Sequence, residues 1–232
     1  MSERYSRHTM LPEIGEAGQE RLHRSSVLLV GVGGLGSPIA LYLAAAGVGR
    51  IGLVDCDTVS ESNLQRQVLY RESEVGELKV ECARRRLLDL NSQIVVDTHA
   101  VRFAEDNARE LVSEYDIVVD GCDNFTTRYL IDECCAELGR PYVYGSIGAF
   151  RGQVSLFNYE GGCRYRDLYP DRQLLESQPL AISGVMGVVP GVVGCVQAAE
   201  VVKVITGCGT TLRNRLYTVD LLTMESLILD LA

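Results

Sequence analysis

Residues 26 to 47, "SVLLVGVGGLGSPIALYLAAAG", limit the fold more than any other stretch of the chain. A short apolar strand runs into a turn holding Gly31, Gly33, Gly34 and Gly36. A helix follows at once, with Ser37 near its start, Pro38 in its first turn and Gly47 as its stop. The glycines let backbone approach an anion closely, and the helix N-terminus adds unpaired N–H groups and a partial positive charge. Asp55 closes the next strand, "RIGLVD", about twenty residues on. There its carboxylate can accept hydrogen bonds from both hydroxyls of a ribose.

Strand and helix patterns then alternate. "VGELKVECARRRLLDLN" has helical periodicity, "QIVVDTHAV" is strand, "AEDNARELVSEY" helix, "DIVVDG" strand, "NFTTRYLIDECCAELG" helix and "PYVYGSIG" strand. Connections of this length imply right-handed crossovers and a mostly parallel sheet covered on both faces. From "GQVSLFNYE" onward half-buried alternation takes over, and "NRLYTVDLLTMESLILDLA" closes as a hairpin. The expected fold is α/β, a Rossmann-like doubly wound sheet with antiparallel strands appended in the C-terminal third. No repeat or linker divides residues 1–232, so one domain is expected.

The net charge of −9 disfavours nucleic acid and anionic membranes as partners. Residues 180–206 are the most apolar region, but their glycines, Pro190, Gln197, Glu200 and Lys203 suit a buried helix better than a membrane span. The N-terminus lacks the apolar stretch of a signal peptide. Eight cysteines without framework spacing read as reduced thiols of a cytosolic protein. Lysine occurs only at Lys79 and Lys203, which makes either position worth following.

What the glycine turn binds depends on the run behind Asp55, "DCDTVSESNLQRQ". A nicotinamide dehydrogenase accounts for the glycines and the acid but leaves Asn63, Arg66 and Lys79 unassigned. Two full cations beside a phosphate-binding turn suit a triphosphate, whose α-phosphate gains charge during nucleotidyl transfer. Equally, Arg66 and Lys79 read as solvated surface charges. Asp123 follows "DIVVDG" at the strand's C-terminal edge, where ligands bind in open α/β sheets. Facing a polyphosphate, it needs a cation between, and Mg²⁺ held by one carboxylate, phosphate oxygens and water is the natural one. Asp123 or Asn124 can instead cap the next helix, and Asn124 suits that role better.

The segments "RYSRH", "GVGGLG", "AGVG", "DCDTVSESNLQRQ", "VGELKVE", "DGCDN", "GQVSLF" and "SGVMGVVPGVVGCVQAAEVVKVITG" occur in this order over nearly the whole chain. Together they resemble the MoeB/ThiF/HesA adenylyltransferases, relatives of the ubiquitin-activating enzymes. The resemblance implies ATP- and Mg-dependent activation of the C-terminal glycine of a small ubiquitin-like sulfur carrier ending in Gly-Gly, as an acyl-adenylate. It implies that Gly31, Gly33, Gly34 and Gly36 line the phosphate site and that Asp55 holds the ribose. It draws Ser62, Asn63, Leu64, Gln65 and Arg66 into the nucleotide site with Lys79, Asp123 and Asn124. Asn63, Arg66 and Lys79 would grip the phosphates and Asp123 the magnesium. Arg7 falls on an arginine that reaches the partner's active site in a homodimer, a cation supplied in trans.

Three departures from the family pattern stand out. Where many members carry the first of two C-x-x-C zinc pairs, this chain has "CRYR", with Cys163 opposite Arg166, and it ends at Ala232 before a second pair. No zinc is expected. Leu180 stands at or near the position of a covalent cysteine, and Cys195 reads as a packing residue. His8 replaces a glutamine and is given no role. Two other readings remain beside the adenylyltransferase: a non-catalytic partner subunit of this fold, and adenylation of a peptide or another carboxylate.

Overall fold

The structure is a computed structural model and describes residues 3–177 and 184–231. Eight strands form one sheet in the order β3-β2-β1-β4-β5-β6-β7-β8. They are β1 (Ser26–Val30), β2 (Arg50–Val54), β3 (Val95–His99), β4 (Ile117–Asp120), β5 (Tyr142–Gly148), β6 (Arg151–Phe157), β7 (Arg215–Asp220) and β8 (Glu225–Asp230). Pairing is parallel from β3 to β5 and antiparallel from β5 to β8. The chain winds outward from β1 through β2 to β3, then returns to place β4 on the other side of β1. That reversal opens a crevice beyond the C-terminal ends of β1 and β4.

The helices are α1 (Ser6–Thr9), α2 (Gly15–Arg24), α3 (Gly36–Ala46), α4 (Lys79–Leu90), α5 (Ala108–Ser113), α6 (Phe125–Leu138), α7 (Tyr165–Leu168), α8 (Arg172–Ser177) and α9 (Val189–Thr206). One face of the sheet is covered by α3, α4 and α9, whose buried Ile39, Leu43, Val80, Leu87, Val193 and Val201 join one core. The other face is covered by α5 to α7 over a second core rich in tyrosine. Fully buried Tyr115, Tyr129, Tyr142, Tyr144 and Tyr165 fill it in place of aliphatic residues. The parallel strands are buried on both faces, which is why they read as continuous apolar runs.

Helix stops follow the glycines: Gly47 and Gly139 adopt left-handed conformations at the ends of α3 and α6. Three elements differ from expectation. The helix sought over residues 75–91 starts only at Lys79, because the backbone before it pairs with residues 57–59. Val59 N–H donates to Glu77 O at 2.8 Å and Lys79 N–H to Asp57 O at 3.0 Å, so these residues are extended. The helix sought over 104–115 shrinks to α5, since Asn107 closes a turn ahead of it through Ala104 N–H (3.0 Å) and Arg102 O (2.9 Å). The apolar helix begins at Val189, and Leu180 lies outside the described residues.

By length and composition α9 passes for a membrane span, yet half of it is buried within the protein. Gln197 bonds to Asp120 O, and Glu200, 1 % exposed, accepts from Leu212 N–H. It is a core helix.

Candidate nucleotide site

The crevice at the strand-order reversal is floored by the glycine turn. Gly31 has φ +90°, a region that an L side chain rarely adopts, and a Cβ there would lie 2.6 Å from Gly121 O. A Cβ on Gly36 or on Gly121 would overlap the Gly31 carbonyl oxygen. The turn after β1 and the loop after β4 therefore touch backbone to backbone, and no residue larger than glycine fits at the contact.

Asp55 ties the end of β2 to this turn. Its Oδ2 accepts from Val32 N–H and its Oδ1 from Asp57 N–H, each at 2.9 Å. Each oxygen keeps a second acceptor site for a ribose hydroxyl. Tyr70 OH donates to Val32 O at 2.6 Å and braces the turn from below. Gly33 faces the amide of Gln67, a buried residue whose Oε1 has no partner among the described residues. A glycine cradle beside an unpartnered buried acceptor fits a nucleotide.

Residues 61–63 form a 3-10 turn that lays the polar run over the cradle. The Asn63 carbonyl accepts from the N–H groups of Arg66 (3.1 Å) and Gln67 (2.9 Å), which fixes the backbone direction of Arg66. A Cβ on Gly34 would stand 3.6 Å from Arg66 Cγ and 3.3 Å from Pro190, so Gly34, Arg66 and the start of α9 meet. The Arg66 guanidinium donates to Ser62 O at 3.0 Å. Gln65 packs its carbonyl against Gly187, while Leu64 joins the core margin.

Lys79 is not a solvated charge. Its side chain is only 6 % exposed, and its Nζ pairs with Asp57 Oδ2 at 2.9 Å. The extended pairing of residues 57–59 with 76–79 delivers it there, at the first position of α4. A buried ammonium held by one exposed carboxylate remains available to an anion that displaces or shares that carboxylate. Asp57 was not singled out by sequence reasoning; its only signal is the D-x-D spacing with Asp55.

Asp123 stands exposed in the loop after β4, its carboxylate bonded among the described residues by Asn124 Nδ2 at 3.4 Å. Asn124 caps α6, its Oδ1 accepting from Thr127 N–H at 2.9 Å. Among the described residues no group of three or more His, Cys, Asp or Glu gathers as a metal cage. One carboxylate facing a crevice is the provision expected for Mg²⁺ that arrives with phosphate oxygens.

Arg7 lies on α1, exposed and without an ion pair among the described residues, and no contact brings it to the site of its own chain. His8 instead makes a structural contact, Nδ1 to Gln19 Oε1 at 3.1 Å. In "CRYR", Cys163 N–H donates to Asn214, Arg164 pairs with Asp132 at 3.0 Å and Arg166 with Glu133 at 3.2 Å. All eight cysteines are unpaired. Cys122 is the thiol nearest Asp123 in the chain, and burial, reinforced by Asp120, pushes it well above the ordinary thiol range. Burial likewise raises the Cys195 thiol, against a hydrogen bond from Tyr42. Neither is primed as a thiolate.

Comparison with known proteins adds an independent line. The family model described as "ThiF family" matches residues 5–231. A "Probable molybdopterin-synthase adenylyltransferase" of Porphyra purpurea is 44% identical over 225 residues, spanning 96% of this chain and 59% of that protein. The "Probable adenylyltransferase/sulfurtransferase MoeZ" of Mycobacterium tuberculosis is 47% identical, over 96% of this chain and 58% of its own. A "Sulfur carrier protein adenylyltransferase" of Thermus thermophilus is 47% identical over 95% of this chain and 83% of that protein. The chain thus spans less than two thirds of the first two relatives. Among solved structures, E. coli MccB with ATP superposes with a TM-score of 0.86 at 26% identity, covering 100% of this chain and 72% of that one.

Proposed function

The chain belongs to the ThiF family, and from that footing we propose that it is an adenylyltransferase acting on the C-terminal glycine carboxylate of a small ubiquitin-like sulfur carrier. The observation that carries this reading is the joining of one glycine cradle to two cations, Arg66 and the buried Lys79, and one exposed carboxylate, Asp123. A dinucleotide dehydrogenase has no use for the last three. Relatives named for adenylation of a sulfur carrier or of molybdopterin synthase support the choice of substrate.

In this reading Mg·ATP lies along the crevice, its ribose on Asp55 and its phosphates over Gly33 and Gly34. The carrier carboxylate attacks the α-phosphorus; a new P–O bond forms as the bond to the β-phosphate oxygen breaks. The electron pair leaves with pyrophosphate. Arg66 and Lys79 neutralise charge building on the phosphates, and Asn63 orients them. Such preorganised charge is commonly the largest catalytic term. Asp123 would hold the magnesium, which would offset negative charge on the phosphates. The acyl-adenylate then passes to an external sulfur nucleophile. Arg164 and Arg166, engaged with carboxylates, support a zinc-free protein, and eight unpaired thiols support a reducing, cytoplasmic setting.

A second copy completes the site. Exposed Met10, Leu11, Tyr42, Val188 and Val192 present apolar surface around α1, α3 and the start of α9, and Arg7 is exposed on α1. A homodimer over this surface would carry Arg7 to the neighbouring crevice. Mixing Arg7→Ala with Asp123→Ala subunits should then restore about half of the wild-type turnover per hybrid dimer, since one of its two sites is whole. Hybrids as inactive as either parent would assign Arg7 to the site of its own chain, and an Arg7→Ala homodimer with native turnover would give it no catalytic role.

The direct test is ATP–pyrophosphate exchange with purified carriers ending in Gly-Gly. Carrier-dependent exchange that falls about 10²-fold in Asp123→Ala is the expected result. Exchange supported instead by a peptide or free carboxylate would move the acceptor. Clear Mg·ATP binding without exchange would favour a non-catalytic partner subunit.

A further inference from the structure

Behind Asp123 lies a buried ion pair. Arg128, on the second turn of α6, sends Nε to Asp120 Oδ2 at 3.1 Å; their side chains are 7 % and 0 % exposed. Its Nη2 donates to Cys122 O at 3.1 Å and to Gly145 O on β5 at 3.4 Å. The other oxygen of Asp120 accepts from Cys122 N–H at 2.9 Å. Tyr142 OH donates to Asp120 Oδ2 at 3.1 Å, and Gln197 of α9 reaches the Asp120 carbonyl at 2.7 Å. The rings of Phe125 and Tyr144 flank the guanidinium.

A buried pair of this kind adds little to net stability, because desolvation offsets the attraction. What distinguishes it is where its bonds converge. Both backbone groups of Cys122, the residue before Asp123, are held by the pair, while the residue after, Asn124, is held by its cap on α6. Asp123 is therefore clamped on both sides, its own carboxylate left exposed. Burial disfavours the charge on Arg128, and Asp120 more than restores it, so the guanidinium keeps its charge.

We propose that Arg128, through Asp120, is a positioning residue for the divalent cation: it fixes the backbone on which Asp123 is presented to Mg²⁺ and, through the Gly121–Gly31 contact, fixes that loop to the phosphate turn. The inference rests on the assignment of Asp123 as the magnesium residue. Outer-shell partners of metal ligands typically cost 10- to 100-fold in metal affinity when removed. Arg128→Met should accordingly raise the Mg²⁺ concentration for half-maximal ATP binding at least about tenfold, measured by calorimetry. The same variant should weaken Mn²⁺ retention in the ATP complex by electron paramagnetic resonance. Arg128→Lys, which keeps the charge but lacks the fork, should recover only part.

Arg164→Met breaks the pair with buried Asp132, one turn further along α6, in which Arg164 is one-third exposed, and serves as the structural control. It should lower the melting temperature but leave the Mg²⁺ midpoint in place. If Arg128→Met does not fold, Arg128→Lys and Tyr142→Phe carry the test, with smaller shifts in the same direction. A wild-type midpoint in the Arg128 variants, or an equal shift in Arg164→Met, overturns the inference while Asp123→Ala still abolishes the Mg²⁺ dependence. If the wild-type protein binds ATP with no Mg²⁺ dependence, the assignment of Asp123 fails, and the inference with it.

Discussion

Replacing Lys79 by alanine is expected to lower kcat/KM for carrier adenylation by about 10³, the upper end of what one preorganised donor contributes. A full charge on a desolvated stem is placed at the upper end because no reorganisation accompanies the reaction, and water cannot substitute inside the crevice. The loss should not come from unfolding. Its partner Asp57 is 64 % exposed and is readily hydrated once the ammonium is gone. Lys79→Arg should recover little, since the fork cannot occupy the place of a point charge at the first turn of α4. Thermal melting within a few degrees of wild type, with exchange near background, is the expected pair of results. An alanine variant with near-native turnover would return Lys79 to a purely structural pairing with Asp57.

A methyl group at Gly36 should do the opposite: damage the fold and the site together. The added Cβ would overlap the Gly31 carbonyl oxygen, a clash of backbone with backbone that no rotamer relieves. Gly31 cannot retreat, because Gly121 packs against the same carbonyl from the other side. A cost of about 3 kcal/mol is expected for Gly36→Ala, the upper range for overpacking, or roughly 10 °C in melting temperature for a chain of this size. Mg·ATP affinity should fall in parallel. A Gly36→Ala protein that melts and binds like wild type would mean that the turn is not held between those two contacts.

The glycine turn, Asp55, the Asn124 cap and the alternation of strand and helix were all legible, because each is local: a period, a stop or a motif within a few residues. What escaped depends on distant backbone. Arg66 and Lys79 read equally as surface charges, and burial of Lys79 follows only once residues 57–59 pair with 76–79. That pairing also delays α4 to Lys79 and brings Asp57 to it, neither of which any helical period announces. Arg128 sits on a helix with charged neighbours and looks solvated; only the end of β4, eight residues earlier, supplies its partner. Gln67 and Tyr70 were hidden in the same way, as polar residues whose role is set by a turn that lies over thirty positions upstream. The antiparallel third was legible through its alternating pattern, whereas the order of strands has no local signal and comes from the structure.

The position of α9 bears on how the protein is made. This helix, near the end of the chain, covers the face laid down by β4, β5 and β6 and packs against α2 and α3 at the beginning. Its Gln197 also closes the Asp120 carbonyl. A nascent chain emerging N-terminus first has the glycine turn, α3 and the parallel strands long before it has the helix that seals them. Until residue 206 is free, the part of that face over β4 to β6 is bare and the loop bearing Asp123 lacks its last anchor. Folding of this domain therefore completes after most of it has been synthesised, with a broad apolar face exposed in the interval, the circumstance in which chaperones act.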